Sequence, residues 1–202
     1  MTKKDTKELL SDSFAEIAKT KAIDKITVRE ISENAGVTSQ TFYNHFSDKY
    51  DLVFWRFRIR IDKIFDRYGK GIIDWGMAME EFIQGYDNHA RFIINAFKNM
   101  NGQDSYKDKT MIYLANKMIN NIKILKGVEE IPTEYKFYIF FYSSGIINVV
   151  DWWLKKENRE SYKVVARYLC DCVPVKLMDY CGVNKVGHKK FTELLALTLD
   201  EC

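Results

Sequence analysis

Apolar residues recur every three or four positions along nearly the whole chain, the periodicity of amphipathic helices. Leu10, Phe14, Ile17 and Ala18 share one face of a helix expected at about 4–20. A longer stripe of Tyr50, Val53, Phe54, Phe57, Ile61, Ile64, Phe65 and Tyr68 predicts a helix at about 48–68, closed by Gly69 and Gly71. Further helices are expected at 75–86, 88–100 and 106–125. The segment NMNGQDS at 99–105 has turn-forming composition, and Gly127 and Pro132 bracket the next loop. The run 133–156 is apolar on several sides, with Ser143, Ser144 and Gly145 at its centre, where a partner helix can approach closely. A last long helix is expected at 161–179, with Val164, Val165, Tyr168, Leu169 and Cys172 inward and Pro174 kinking or ending it. After Gly182, Phe191, Leu194, Leu195 and Leu199 mark a short amphipathic segment. Two prolines and ten glycines in 202 residues argue against a turn-rich β fold, so the chain reads as all-α.

The stretch 27–52, TVREISENAGVTSQTFYNHFSDKYDL, carries the chemistry. Thr27 with Glu30 has the spacing of a capping box at a helix start. Val28, Ile31 and Ala35 then share a face, and Gly36 stands where the helix must end in a left-handed conformation. Thr38 can cap a second helix at about 39–46. Phe42 and Phe46 point inward there, leaving Ser39, Gln40, Thr41, Tyr43, Asn44 and His45 outward. This is the pattern of a helix-turn-helix whose second helix enters the major groove of DNA. An ordinary helical hairpin gives the same spacing. Its outer face would more often carry Lys and Glu than this concentration of groups able to bond bases and phosphates. Lys49 follows, within reach of a phosphate.

These residues resemble the DNA-binding domain of the tetracycline-repressor (TetR) family of bacterial regulators. The resemblance rests on Thr27, Val28 and Ile31; on Ala35, Gly36 and Val37; on Thr41, Phe42, Tyr43, His45 and Phe46; and on Lys49, Asp51 and Leu52. The form QTFYNHFSDKYDL is also similar to a branch that includes activators of dihydroxyacetone kinase operons. Ala22 stands where most members have Gly, and Ser32 where Ala is usual. Thr38 and Ser39 replace a pair that in this branch often contains Arg, which bears on base reading because Arg to guanine is the commonest specific contact. The resemblance implies a helix-turn-helix domain at 1–48, a connecting helix at 49–70 and a helical ligand-binding and dimerisation domain at 71–202. It also implies a homodimer, formed by the helices at about 133–156 and 161–179 as a four-helix bundle. The alternative is that these two helices are the internal core of a monomer.

Charge changes the picture of how DNA would be held. Residues 1–50 carry eight Lys or Arg against eight Asp or Glu, so affinity depends on where charges sit and on two heads acting together. Residues 51–70 carry six basic against three acidic side chains. Arg56, Arg58 and Arg60 recur there at every second position and are expected on a solvated surface. The expected DNA contacts are Thr27, Ser39, Gln40, Thr41, Tyr43, Asn44, His45 and Lys49. Gln40 and Asn44 suit adenine, whereas Thr27, Tyr43 and Lys49 suit phosphates.

No Gly-rich phosphate loop, nucleophile elbow or HExxH motif occurs, so catalysis is not expected, nor is a cofactor. Cys170, Cys172, Cys181 and His188 chelate poorly, because helical residues two apart diverge; no metal is expected. These cysteines and Cys202 are expected to stay reduced in a cytoplasmic protein. No leader or membrane span is read from the sequence. A small apolar or aromatic effector is expected in the C-terminal half, with candidate wall residues Trp75, Met79, Phe82, Tyr86, Phe92, Phe97, Met111, Met118, Phe137, Phe141 and Trp152. Each of these is also explained by core packing. The function expected is a homodimeric transcription regulator, a repressor at a palindromic DNA operator. The alternatives are an activator controlled by a co-regulator protein and a helical adaptor that no longer touches DNA.

Overall fold

The computed structural model describes residues 5–100 and 105–181. The expected amphipathic segment with Phe191, Leu194, Leu195 and Leu199 lies outside them, as do His188, Cys202 and most of the turn at 99–105. Among the described residues there are ten α-helices and no strand. They are α1 (Thr6–Ile17), α2 (Val28–Asn34), α3 (Ser39–Tyr43), α4 (Lys49–Gly69), α5 (Trp75–Asp87), α6 (Ala90–Asn99), α7 (Tyr106–Lys126), α8 (Thr133–Leu154), α9 (Tyr162–Asp171) and α10 (Val175–Cys181).

Side-chain caps fix several helix starts. The carboxylate of Asp48 accepts from the backbone N–H groups of Tyr50 and Asp51, both at 2.8 Å, and that of Asp74 accepts from Met77 at 2.8 Å. These bonds satisfy donors that a helix start otherwise leaves orphaned. At the far end of α7, Gly127 adopts φ 64°, the left-handed cap that a glycine adopts cheaply. Pro174 does end α9, and a short α10 resumes at Val175. Tyr168 and Cys172, expected inward, are exposed, because α9 buries the face of Val165, Ala166 and Leu169 instead. Helix α3 is also shorter than expected. It stops at Tyr43, while Phe46 stays buried through a bond from its N–H to the Phe42 carbonyl at 3.0 Å.

Helix α4 is the long connector. Its apolar stripe buries Leu52, Val53, Phe57, Ile61, Ile64 and Phe65. Near its start it packs on α1, and further along on α7 and α5. Helix α7 in turn packs on α8, and α5 packs on α9. The arginines of α4 do not form a solvated surface. Arg56 donates to Ser11 Oγ and Asp12 Oδ1 of α1, both at 3.0 Å. Arg60 lies across the Tyr86 ring, 4.7 Å from its centroid. Its Nε and Nη2 are buried without a hydrogen-bond partner. The two lie one turn apart on a half-buried face, which counting every second position obscures.

Candidate DNA-reading helix and junction cavity

The reading head is built from the capping box outward. Thr27 Oγ1 accepts from the Glu30 N–H at 3.2 Å, and the Glu30 carboxylate accepts from the Thr27 N–H at 2.9 Å. Lys21 also pairs with Glu30, and these bonds hold its carboxyl down at about 2. Helix α2 ends at Gly36, φ 71°, whose neighbour Val37 donates back to the Ser32 carbonyl at 2.9 Å. The turn then leads into α3, which packs on α2. Thr38 Oγ1 caps it by accepting from the Thr41 N–H at 3.1 Å. Phe42 and Phe46 seat α3, with ring centroids 5.7 Å apart, and Phe46 meets Trp55 of α4 at 5.7 Å. Ser13 Oγ donates to the Ile31 carbonyl at 2.7 Å and fastens α1 to α2.

On the solvent side, Gln40, Tyr43 and Asn44 are exposed, and Ser39, Thr41 and His45 are half-buried. Gln40 Nε2 donates to Asn44 Oδ1 at 3.1 Å, so the two amides form one pre-oriented pair. Lys49 is not poised as a free phosphate hook. Its ammonium donates to the carbonyls of Asp24 and Ile26, both at 2.8 Å. It closes the 3-10 turn Ile23–Lys25 that precedes Thr27. Partial burial pushes its pKa down.

The expected effector wall is mostly not a cavity wall. Phe137, Phe141 and Trp152 are 68%, 69% and 60% exposed. They lie on the outer face of α8, because that helix is apolar on more sides than its neighbours α7 and α10 cover. Met79, Phe82, Tyr86 and Phe97 are buried in the core, and Met111 is half-buried against it. Met118 borders a crevice of only about 10 Å³, and Trp75 borders that crevice and an open surface depression shared with Ile72 and Met77.

A cavity of about 350 Å³ instead lies where the head meets the body, with Phe92 the one expected wall residue among its lining. Its walls come from α1 (Ser11, Asp12), α4 (Arg56, Phe57, Arg60), α6 (Phe92, Ile93) and the start of α7 (Tyr106), with His89 just before α6. Periodicity could not find this site, because its polar members sit on three separate helices and on His89 before a fourth. The one signal was Arg56 and Arg60, one turn apart on the helix that carries the long apolar stripe. Across the same junction, Phe14 of α1 meets Phe92 edge-on at 6.0 Å.

Comparisons with known proteins agree with this architecture. A family model described as "Bacterial regulatory proteins, tetR family" matches residues 13–54, and one described as "Transcriptional regulator C-terminal region", a TetR C-terminal family, matches residues 74–174. The chain belongs to the TetR family of transcriptional regulators. Among solved structures it is similar to the dihydroxyacetone kinase operon activator DhaS, at 17% identity and TM-score 0.63 over 88% of this chain and 97% of that one. It is similar to the fatty acid degradation regulator FadR from Bacillus halodurans, at 15% identity and TM-score 0.60 over 84% and 94%. A TetR regulator from Streptococcus agalactiae 2603V aligns at 17% identity and TM-score 0.56 over 83% and 93%. At these identities the likeness is one of fold. The search of curated proteins gives no match.

Other chemistry finds little support in the geometry. Among the described residues no group of three His, Cys, Asp or Glu could hold a metal ion. Burial pushes the Cys170 thiol up to about 11 and the Cys181 thiol up to about 12, which opposes formation of the reactive thiolate. Among the described residues no helix is long and apolar enough to cross a membrane.

Proposed function

We propose that the protein is a homodimeric repressor that binds a palindromic operator through α3 and is released or retained by a small effector. The observation that carries the DNA reading is the exposed Gln40–Asn44 amide pair, held on a short helix seated by Phe42 and Phe46. An amide can bond adenine in a bidentate way, and each such pair discriminates by about 1–3 kcal/mol. Ser39, Thr41 and His45 flank the pair, and Thr27 and Tyr43 face the phosphates, fixing register. The head comprises residues 1–48, α4 connects it, and 71–202 form the regulatory body with the dimer contact.

The exposed stripe of α8 supports the dimer. Phe137, Phe141, Asn148 and Trp152 follow one another at helical spacing, with Ser144 and Gly145 between. An apolar surface of this kind marks an interaction site, and a two-fold pairing would set two heads one helical turn apart. The same stripe favours a second reading, in which a co-regulator protein covers it and the protein activates.

A gel-shift titration on DNA upstream of the protein's own reading frame tests the proposal. Retention should weaken with salt. Asn44→Ala should relax sequence preference in a binding selection, while Tyr43→Phe weakens all sequences alike. An Asn44→Ala protein with unchanged preference defeats the assignment. Absence of any retention at low salt defeats the DNA reading itself.

A further inference from the structure

The cavity between head and body contains a cation without a counterion. Arg56, Arg60 and Lys63 border it, against Glu8 and Asp12. Asp12 is already bonded to Arg56. Arg60 has no ion-pair partner among the described residues, and its Nε and Nη2 are buried with no hydrogen bond. The face of Tyr86 supplies a favourable contact, a ring quadrupole. A guanidinium does not discharge itself near neutral pH, so these two buried N–H donors stay without a partner. Buried donors of a charged group are costly when unsatisfied and are normally paired. Gly85 permits this placement: a Cβ there would lie 2.7 Å from Arg60 Nη1. Around the charge, Phe57, Phe92, Ile93 and Tyr106 are buried aromatic and aliphatic wall.

We propose that this junction cavity is the effector site and that its ligand is a small carboxylate with a flat apolar body, its anion neutralising Arg60. The volume of about 350 Å³ suits a molecule of that size. A planar carboxylate matches the guanidinium fork, and the aromatic walls take the remainder. Because Ser11 and Asp12 of α1 share the cavity with α4, α6 and Tyr106, an occupant bridges the head and the body. The ligand therefore acts on head orientation directly. This regulatory consequence rests on the DNA-binding reading above; the binding chemistry does not.

The test uses the full chain with benzoate and phenylacetate, and benzamide as the neutral near-isostere of benzoate. Scanning calorimetry should show Tm rising with either carboxylate and not with benzamide. Arg60→Met and Arg60→Gln should weaken benzoate binding by about 10- to 100-fold, the equivalent of one lost charge-assisted bond. Without ligand, Arg60→Met should melt no lower than wild type. The proposal is overturned if neither carboxylate shifts Tm, if benzamide shifts it equally, or if either folded variant binds benzoate unchanged. Should both variants fail to fold, the benzoate–benzamide comparison on wild type decides alone. Gel shifts with and without benzoate separate the two readings. Benzoate binding through Arg60 with no DNA retention sinks the regulator and leaves the site; DNA retention with no carboxylate response does the reverse.

Discussion

Asn95 of α6 accepts a hydrogen bond from the backbone N–H of Ile23 at 3.1 Å, and so ties the body of the molecule to the segment that leads into the reading head. The same amide donates from Nδ2 to the carbonyls of Ala18 at 3.2 Å and Lys21 at 2.8 Å. Asn99 donates to Asn95 Oδ1 at 2.6 Å and fixes its orientation. One side chain thus satisfies three backbone groups between α1 and α2, where no helix supplies partners. Asn95→Ala should lower stability by about 2–3 kcal/mol, since three bonds of about 1 kcal/mol each are lost and their partners are partly buried. Asn95→Asp should do at least as much harm, because a carboxylate would face two carbonyl oxygens. Urea denaturation measures both; an Asn95→Asp protein as stable as wild type would rule the clamp out.

Lys49 gives a direct contest between two roles. As a phosphate hook, Lys49→Ala would reduce the slope of log affinity against log salt by about one contact and leave the free protein's Tm alone. Its bonds to the Asp24 and Ile26 carbonyls predict the opposite. Tm should fall without DNA, and the salt slope should hold while affinity drops through a loosened Thr27 cap. Thermal melts and gel shifts at three salt concentrations separate these outcomes.

The reading head was legible because local rules specify it. Thr27 with Glu30, Gly36, Thr38, and the Phe42–Phe46 spacing each state their geometry within a few residues, and the structure reproduces each one. The effector wall was not legible. An apolar residue at helical spacing reports that it faces something, not what it faces, so Tyr86 in the core and Phe141 on the surface look alike in sequence. The contacts of Lys49 and Arg60 were hidden for a related reason. Their partners, Asp24 and Ile26 for one and Tyr86 for the other, are at least 23 residues away, beyond the reach of periodicity.

The α8 stripe carries a prediction about assembly. Phe141→Glu or Trp152→Glu would set a charge among exposed aromatics that a monomer leaves in water, so monomer stability should change by no more than about 0.5 kcal/mol. If a second copy covers this face, the charge would be buried without a partner and the dimer should dissociate by an order of magnitude or more in Kd. Sedimentation equilibrium on wild type and both variants measures this. An unchanged dimer in both variants would move the interface elsewhere and favour the co-regulator surface.

His89 sets a pH dependence whose sign follows from its surroundings. Burial first, then the positive charges of Arg56 and Arg60, hold its pKa below the ordinary 6.5, opposed by Asp12 and assisted by Lys19. Between its folded value and 6.5 the unfolded chain binds more protons than the folded one, so stability rises with pH across that window. The contribution is complete above 6.5 and is lost as pH falls through the folded value. Glu30 acts in the same direction between 4.5 and about 2. Calorimetry should therefore show wild-type Tm falling as pH drops below 6.5, and His89→Gln flattening that fall. An occupant anion at Arg60 would offset part of the positive field on His89, so saturating benzoate should shrink the same slope. A His89→Gln protein with the wild-type slope would place the titrating group elsewhere.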